Sequence, residues 1–151
     1  MKKFFCLAAF FVSTMFCLSA NAEVVGIVDF DKVVDSYSRV QIVTDEISDK
    51  QAEIQKYILD KEREYKKLST PVERKNFEEI TAKELARRQD AFMKLKERKE
   101  SEIDNSIKNA IKSVAIANKI DTVVDASVIF FGGIDITDKV VKALNSPATV
   151  K

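Results

Sequence analysis

The feature that most constrains this chain is a helix stop followed at once by a helix start, at Thr70-Pro71, which separates two long helical runs. The residue before a proline disfavours the α conformation, whereas proline suits the first position of a helix, where its missing amide would have no partner. Thr70 and Glu73 have the spacing of a capping box. The pattern therefore predicts helices over residues 39–69 and 71–118, with a sharp turn between them.

These two helices are too long to be enclosed in a globule. At ~1.5 Å per residue they extend about 46 Å and about 72 Å. A compact domain of this size has a radius of gyration of only about 14 Å. The sequence therefore predicts a long antiparallel helical hairpin, a coiled-coil-like arm over residues 39–118 with its tip near residues 68–73.

An apolar stripe supports the hairpin. In the first run its spacing repeats every 11 residues, which is typical of a nearly straight helix pair. Its members are Val43, Ile47, Ile54, Ile58 and Tyr65. In the second run, Arg88 and Lys99 fall where apolar residues are expected. Acid-before-base pairs four residues apart stabilise exposed helices, and the sequence offers Glu46/Lys50, Glu62/Lys66, Glu79/Lys83, Glu84/Arg88 and Asp90/Lys94.

The first 22 residues have the order of a secretory signal peptide. Lys2 and Lys3 precede an uncharged, mostly apolar run that ends in Ala20-Asn21-Ala22, a typical cleavage site. The run is shorter than the ~20 residues that a membrane-spanning helix needs, so an uncleaved anchor is the weaker alternative. Small residues do not precede Cys17, so lipidation is not expected. We expect an exported protein with a cleaved signal peptide over residues 1–22.

The segments that flank the arm, residues 23–38 and 119–151, are strongly apolar. Their patterns predict strands at 24–28, 122–125 and 128–131 and a last helix over 138–144. So small a unit rarely has a sufficient core alone. We therefore expect a mainly α protein with a small α+β oligomerisation body built from both termini. The residues expected at its subunit contacts are Val25, Ile27, Val123, Val124, Ile129 and Phe130.

The mature chain has no histidine and no cysteine, because both cysteines lie in the signal peptide. That removes imidazole and thiol chemistry and the usual zinc ligands. The three glycines cannot form a phosphate-binding loop. Asp29, Asp31 and Asp35 are interpreted as caps and surface charges, since they lack the spacing of a calcium loop. We expect a non-enzyme without cofactor or metal, although the sequence leaves a serine–lysine pair open.

The charge of the mature chain is nearly balanced. The whole chain has 25 basic and 24 acidic side chains, and two of the lysines belong to the signal peptide. Such a balance does not favour binding to nucleic acid. Basic residues nevertheless surround the hairpin turn, namely Lys66, Lys67, Arg74 and Lys75. This basic tip is either a solvated helix end or a contact for an acidic partner or lipid head groups.

Large apolar side chains are dispersed among the charges of the arm. They either close the seam between the two helices or offer an adaptable apolar surface to unfolded chains. The candidates for such contacts are Tyr65, Phe77, Leu85, Phe92, Met93 and Leu95. Met93 lies off the main stripe, so we expect it to be the most exposed of them.

Three segments, in a fixed order around the arm, resemble a known family. They are Val24-Val25-Gly26-Ile27-Val28-Asp29, Ile120-Asp121-Thr122-Val123-Val124-Asp125-Ala126 and Asp135-Ile136-Thr137. With the exported start and the long charged hairpin, they make the chain similar to the Skp/OmpH-type periplasmic chaperones. The resemblance implies a homotrimer in the periplasm. Its three arms would enclose a cavity that holds unfolded outer-membrane β-barrel proteins without ATP.

The chain departs from that family in charge, since family members are often markedly basic. Strong binding to lipid or lipopolysaccharide is therefore not expected, and a weak contact is left open. The alternative function is a structural or adaptor coiled-coil protein of the cell envelope. The absent lipidation site and the polar breaks in the apolar stripe argue against that alternative.

Overall fold

The computed structural model describes residues 23–146, so the predicted signal peptide and residues 147–151 lie outside the described residues. The elements in chain order are strand β1 (Val25–Val28), helix α1 (Phe30–Ser36), helix α2 (Ser38–Tyr65), helix α3 (Pro71–Ala117), strand β2 (Thr122–Asp125), a 3-10 helix (Ala126–Val128), strand β3 (Ile134–Asp135) and helix α4 (Thr137–Asn145). The predicted fold class, mainly helical with a small β body, is confirmed.

Helices α2 and α3 form the predicted antiparallel hairpin. Near its base, Arg39 of α2 forms an ion pair with Glu102 of α3 at 3.2 Å. Near its tip, the Tyr65 hydroxyl donates a hydrogen bond to Glu78 at 2.8 Å. At ~1.5 Å per residue, the 28 residues of α2 extend about 42 Å and the 47 residues of α3 about 70 Å. Helix α3 therefore continues past α2 into the body.

The turn between the helices has the predicted capping box. The Thr70 hydroxyl accepts a hydrogen bond from the Glu73 amide at 3.2 Å, and the Thr70 amide donates to the Glu73 carboxylate at 3.1 Å. Pro71 is the first residue of α3. Helix α2 ends at Tyr65, earlier than predicted. The guanidinium of Arg74 donates to the Leu68 carbonyl at 2.9 Å and so closes the turn.

The three strands form one parallel sheet in the order β2-β1-β3. Val25 lies opposite Thr122, and Gly26 lies opposite both Val123 and Ile134. Parallel neighbours need a crossover connection, and the whole arm serves as the crossover between β1 and β2. The two termini of the described chain therefore meet in a single body, from which the arm projects.

The core of this body is small and includes the end of the arm. Val33 of α1, Ile107 of α3 and Val140 of α4 are fully buried in it. The whole buried cluster comprises Val28, Val33, Tyr37, Ile107, Val114, Ala115, Ile120, Ile136 and Val140. Because α3 supplies three of these side chains, the base of the arm is part of the core of the body.

The strand predicted over residues 128–131 is wrong. After β2 the carboxylate of Asp125 accepts a hydrogen bond from the Ser127 amide at 2.8 Å, and this cap starts the 3-10 helix instead. The third strand forms later, at Ile134–Asp135. Phe130, predicted to lie at a subunit contact, is fully solvent-exposed in the single chain.

Candidate functional site

The arm has no buried side chain between its base and its tip. Val43 and Ile107 are buried near the base. Every described residue from 44 to 106 is at least partly exposed. Each helix of a pair covers only one stripe of its partner, so two helices alone cannot enclose a core. The apolar seam between α2 and α3 therefore stays accessible along the arm.

An open groove of about 500 Å³ lies between the two helices close to the turn. This tip groove is lined by Tyr57, Ile58, Lys61, Glu62, Tyr65, Lys66, Phe77, Glu78, Thr81, Ala82 and Leu85. Three of the predicted contact residues, Tyr65, Phe77 and Leu85, are thus brought together. The lining combines aromatic rings with aliphatic side chains, so the groove can accept apolar groups.

A second groove, of about 300 Å³, lies further from the tip. This middle groove is lined by Lys50, Glu53, Ile54, Arg87, Arg88, Ala91, Phe92 and Leu95. It holds two more predicted contact residues, Phe92 and Leu95, but half of its lining is charged. Met93 lines neither groove and is 59% exposed, as its position off the stripe predicts. Contact of these six side chains with an unfolded chain stays a prediction.

The aromatic residues of the tip groove also hold the helices together. The rings of Tyr65 and Phe77 are tilted, with their centroids 6.1 Å apart. The Tyr65 hydroxyl donates to Glu78, and this hydrogen bond raises the pKa of Tyr65. The Lys61 ammonium lies 5.6 Å from the centre of the Phe77 ring, within the range of a cation–π contact. The aromatic residues of the tip groove therefore help to close the seam between α2 and α3, and their contact with an unfolded chain stays a prediction.

The two basic residues in the apolar stripe have defined partners. The guanidinium of Arg88 lies 4.3 Å from the centre of the Tyr57 ring. The ammonium of Lys99, only 19% exposed, forms an ion pair across the seam with Glu46 at 2.6 Å. The predicted pairing of Glu46 with Lys50 is therefore wrong, because Glu46 turns toward α3.

The other predicted pairs within the helices have mixed outcomes. Ion pairs form at Glu79/Lys83, Glu84/Arg88 and Asp90/Lys94, as the spacing of four predicts. Within the described chain, Glu62 and Lys66 do not form one. Exposed pairs of this kind contribute ~0.5 kcal/mol or less. They therefore help to stabilise each helix but do not determine how α2 packs against α3.

The basic tip divides into a structural and an exposed part. Arg74 is used by the turn, where it bonds the Leu68 carbonyl and lies 5.8 Å from the centre of the Tyr65 ring. Lys66, Lys67 and Lys75 are exposed. None of these three lysines takes part in an ion pair within residues 23–146. The lysines are thus the part of the tip that can meet an acidic partner.

Several exposed apolar residues of the arm were not among the predicted contacts. Ile42, Leu59, Val72 and Ile80 are each more than half exposed, with Ile80 at 69%. All four lie off the apolar stripe. A large aliphatic residue out of phase with the stripe is the sequence signal that would have found them, as it found Met93.

The predicted subunit-contact residues lie in or beside the sheet of the body. Val25, Ile27, Val123, Val124 and Ile129 are half-buried in the single chain. Phe130 projects from the segment between the 3-10 helix and β3. A subunit contact at these residues stays a prediction.

Within the described part of the chain, no group of histidine, cysteine, aspartate or glutamate side chains is arranged to hold a metal ion. None of the helices over residues 23–146 combines the length and the apolar character that crossing a membrane requires.

The family model for outer membrane protein (OmpH-like) matches residues 24–144, which cover the entire arm and all but the ends of the body. The chain belongs to the OmpH-like family. The resemblance seen in its strands and hairpin is thereby confirmed. No curated protein matches the chain. OmpH-like membership supports a periplasmic chaperone role, and chaperones of this family are non-enzymatic.

Proposed function

We propose that this OmpH-like protein is an ATP-independent periplasmic holdase that sequesters unfolded outer-membrane β-barrel proteins between the arms of a homotrimer. The observation that supports this most directly is the open arm, which has no buried side chain over residues 44–106 and two open grooves. Family membership supports the periplasmic location and the class of client. The signal peptide over residues 1–22 would be cleaved on export.

The arm suits weak and adaptable binding of an extended chain. Tyr65, Phe77 and Leu85 line the tip groove, and Phe92 and Leu95 line the middle groove. Exposed charges separate these apolar sites, which opposes the collapse of arms onto one another. When one contact holds a client inside the cavity, the effective concentration of its other segments rises. Several weak contacts can therefore bind the client together. Binding and release then need no nucleotide, because no single contact is strong.

The homotrimer is proposed because the body is incomplete as a single copy. It consists of residues 23–38 and 119–151, and apolar side chains remain on its surface. These are Phe30, Val128, Phe130, Phe131 and Ile134, and Ile116 is exposed beside them in chain order at the end of α3. Exposed apolar residues in this number on so small a unit favour a surface that is covered by a protein partner. Three copies joined at their bodies would point three arms in one direction and enclose a cavity.

The exposed lysines of the tip, Lys66, Lys67 and Lys75, support a weak contact with anionic membrane lipid or lipopolysaccharide at the open end of the cavity. Each basic residue near an anionic surface contributes about 1 kcal/mol. Three lysines on a nearly neutral chain therefore support transient contact and not stable anchoring.

The test of the holdase uses the purified mature chain and a urea-denatured outer-membrane β-barrel protein diluted into buffer. We expect the client to stay soluble, by light scattering and sedimentation, at a few trimers per client and without added nucleotide. An equal mass of an unrelated exported coiled-coil protein is the control. If the client precipitates at the unassisted rate, the proposal is wrong and the structural or adaptor function becomes the better one.

A further inference from the structure

The tip groove differs from the rest of the arm in its aromatic content. Three of the four aromatic residues of the arm, Tyr57, Tyr65 and Phe77, line it, and each of them is only partly buried. The middle groove has a single ring, that of Phe92, and half of its lining is charged. Aromatic surface that another molecule can reach is therefore concentrated beside the turn.

Positive charges of the arm lie over these rings. The Lys61 ammonium lies 5.7 Å from the centre of the Tyr57 ring and 5.6 Å from the centre of the Phe77 ring. The guanidinium groups of Arg74 and Arg88 lie over the two tyrosine rings. The face of an aromatic ring is electronegative and attracts a cation within about 6 Å of its centre. Each ring of the tip groove therefore has a cation of the arm beside it, and Lys61 is shared between two rings.

This arrangement complements the charge distribution of an entering aromatic ring. The negative face of such a ring can meet the Lys61 ammonium, and its positive edge can meet the face of a tyrosine or phenylalanine. An aliphatic side chain would gain only the burial of its surface. The lining also holds two lysines, Lys61 and Lys66, and two glutamates, Glu62 and Glu78. The groove therefore favours neither sign of net charge in the group that enters it.

We propose that the tip groove is a selective site for uncharged aromatic side chains of the client. The inference rests on the proposed holdase and names the class of side chain that one of its sites prefers. Outer-membrane β-barrels carry girdles of aromatic residues at both membrane interfaces. Clients of the proposed class therefore supply such side chains, and in an unfolded chain these are free to enter the groove.

The first test measures the binding of short uncharged peptides to the full mature chain by NMR titration. The peptides are acetylated and amidated and differ only at their central residue, which is phenylalanine or cyclohexylalanine. Cyclohexylalanine has a six-carbon ring without π electrons and is no less apolar. We expect the phenylalanine peptide to bind at least about fivefold more tightly. Equal dissociation constants, tighter binding of the saturated peptide, or no measurable binding of either would overturn the proposal.

The second test places this preference at Lys61. The Lys61→Gln variant removes the shared cation, and we expect the preference for phenylalanine to fall to about twofold. The matched control is Lys83→Gln, which removes the lysine of an ion pair with Glu79 on the same arm but lines neither groove. It should keep the full preference. Helix content by circular dichroism checks that both variants are folded.

Each preference is a ratio of two dissociation constants measured on one protein, so a general weakening of binding does not imitate the expected result. If Lys61→Gln kept the full preference, or if Lys83→Gln lost it, the tip groove would not be the aromatic site.

The two proposals fail in different ways. A chain that keeps a denatured client soluble but binds the two peptides equally would overturn the aromatic site and leave the holdase standing. A chain that prefers the phenylalanine peptide but lets the client precipitate would overturn the holdase and leave the aromatic site standing.

Discussion

Arg88 contacts two groups at one point of the arm, the Tyr57 ring and the Glu84 carboxylate. Its guanidinium lies over the ring of Tyr57, and its Nε forms an ion pair with Glu84 at 2.8 Å. Arg87 donates to the same carboxylate at 2.7 Å, and this hydrogen bond, with the two positive charges, lowers the pKa of Glu84 to about 2. A polar cluster therefore occupies a position of the seam where an apolar side chain would ordinarily lie.

The first prediction at this scale concerns acid. Because the pKa of Glu84 falls from its ordinary 4.5 to about 2 on folding, its carboxylate stabilises the folded chain above pH 4.5. That contribution should be lost progressively as the pH falls from about 4.5 to about 2. The Glu84→Gln variant should therefore be less stable than the unmodified chain at pH 7. Its free energy of unfolding should also fall less than that of the unmodified chain as the pH is lowered. Urea unfolding by circular dichroism at several pH values measures both.

Glu79→Gln is the matched control, since it removes one exposed ion pair with Lys83 from the same helix. If the stability of Glu84→Gln and of the unmodified chain fell in parallel from pH 5 to pH 2, the cluster around Glu84 would not hold its carboxylate ionised.

At the level of elements, the sequence predicted the structure correctly where it depends on contacts between residues close to one another in the chain. The turn followed from Thr70, Pro71 and Glu73, because Thr70 and Glu73 hydrogen-bond each other and Pro71 lies at the first helical position, where no amide donor is needed. The strand expected over residues 128–131 did not form, because β-branched and aromatic composition favours a strand only where a partner edge is available. Within one chain, the Asp125 cap takes the backbone into a 3-10 helix first. The order of the sheet likewise depends on contacts across the entire arm.

The capping box provides the prediction at this scale. Thr70→Ala should remove the hydrogen bond to the Glu73 amide and cost about 1 kcal/mol of arm stability. Thermal unfolding followed by circular dichroism would show it as a lower Tm. Ser69→Ala, one residue earlier and outside the box, is the control and should change the Tm little. Equal Tm values for the two variants would show that the cap does not limit the stability of the arm.

For the molecule as a whole, the arm leaves apolar surface in two forms. Residues of the stripe, such as Phe77 and Leu85, are shared between the seam and the tip groove. Residues off the stripe, such as Leu59, Ile80 and Met93, are largely exposed. Periodicity in the sequence predicted the first set but only Met93 of the second. The stripe indicates which side chains meet the partner helix, and it gives no information on the exposure of the other side chains.

The last prediction separates these two sets. The triple variant Leu59→Ser/Ile80→Ser/Met93→Ser removes exposed apolar surface without touching the seam, so helix content and oligomer mass should stay the same. Three weak contacts of ~0.5 kcal/mol each correspond to a roughly tenfold rise in the protein concentration needed to keep a denatured β-barrel client soluble. The conservative variant Leu59→Met/Ile80→Met/Met93→Leu keeps the apolar surface and should hold the client normally. Were the serine variant to hold the client as well as the conservative one, binding would depend on the grooves and not on the exposed residues.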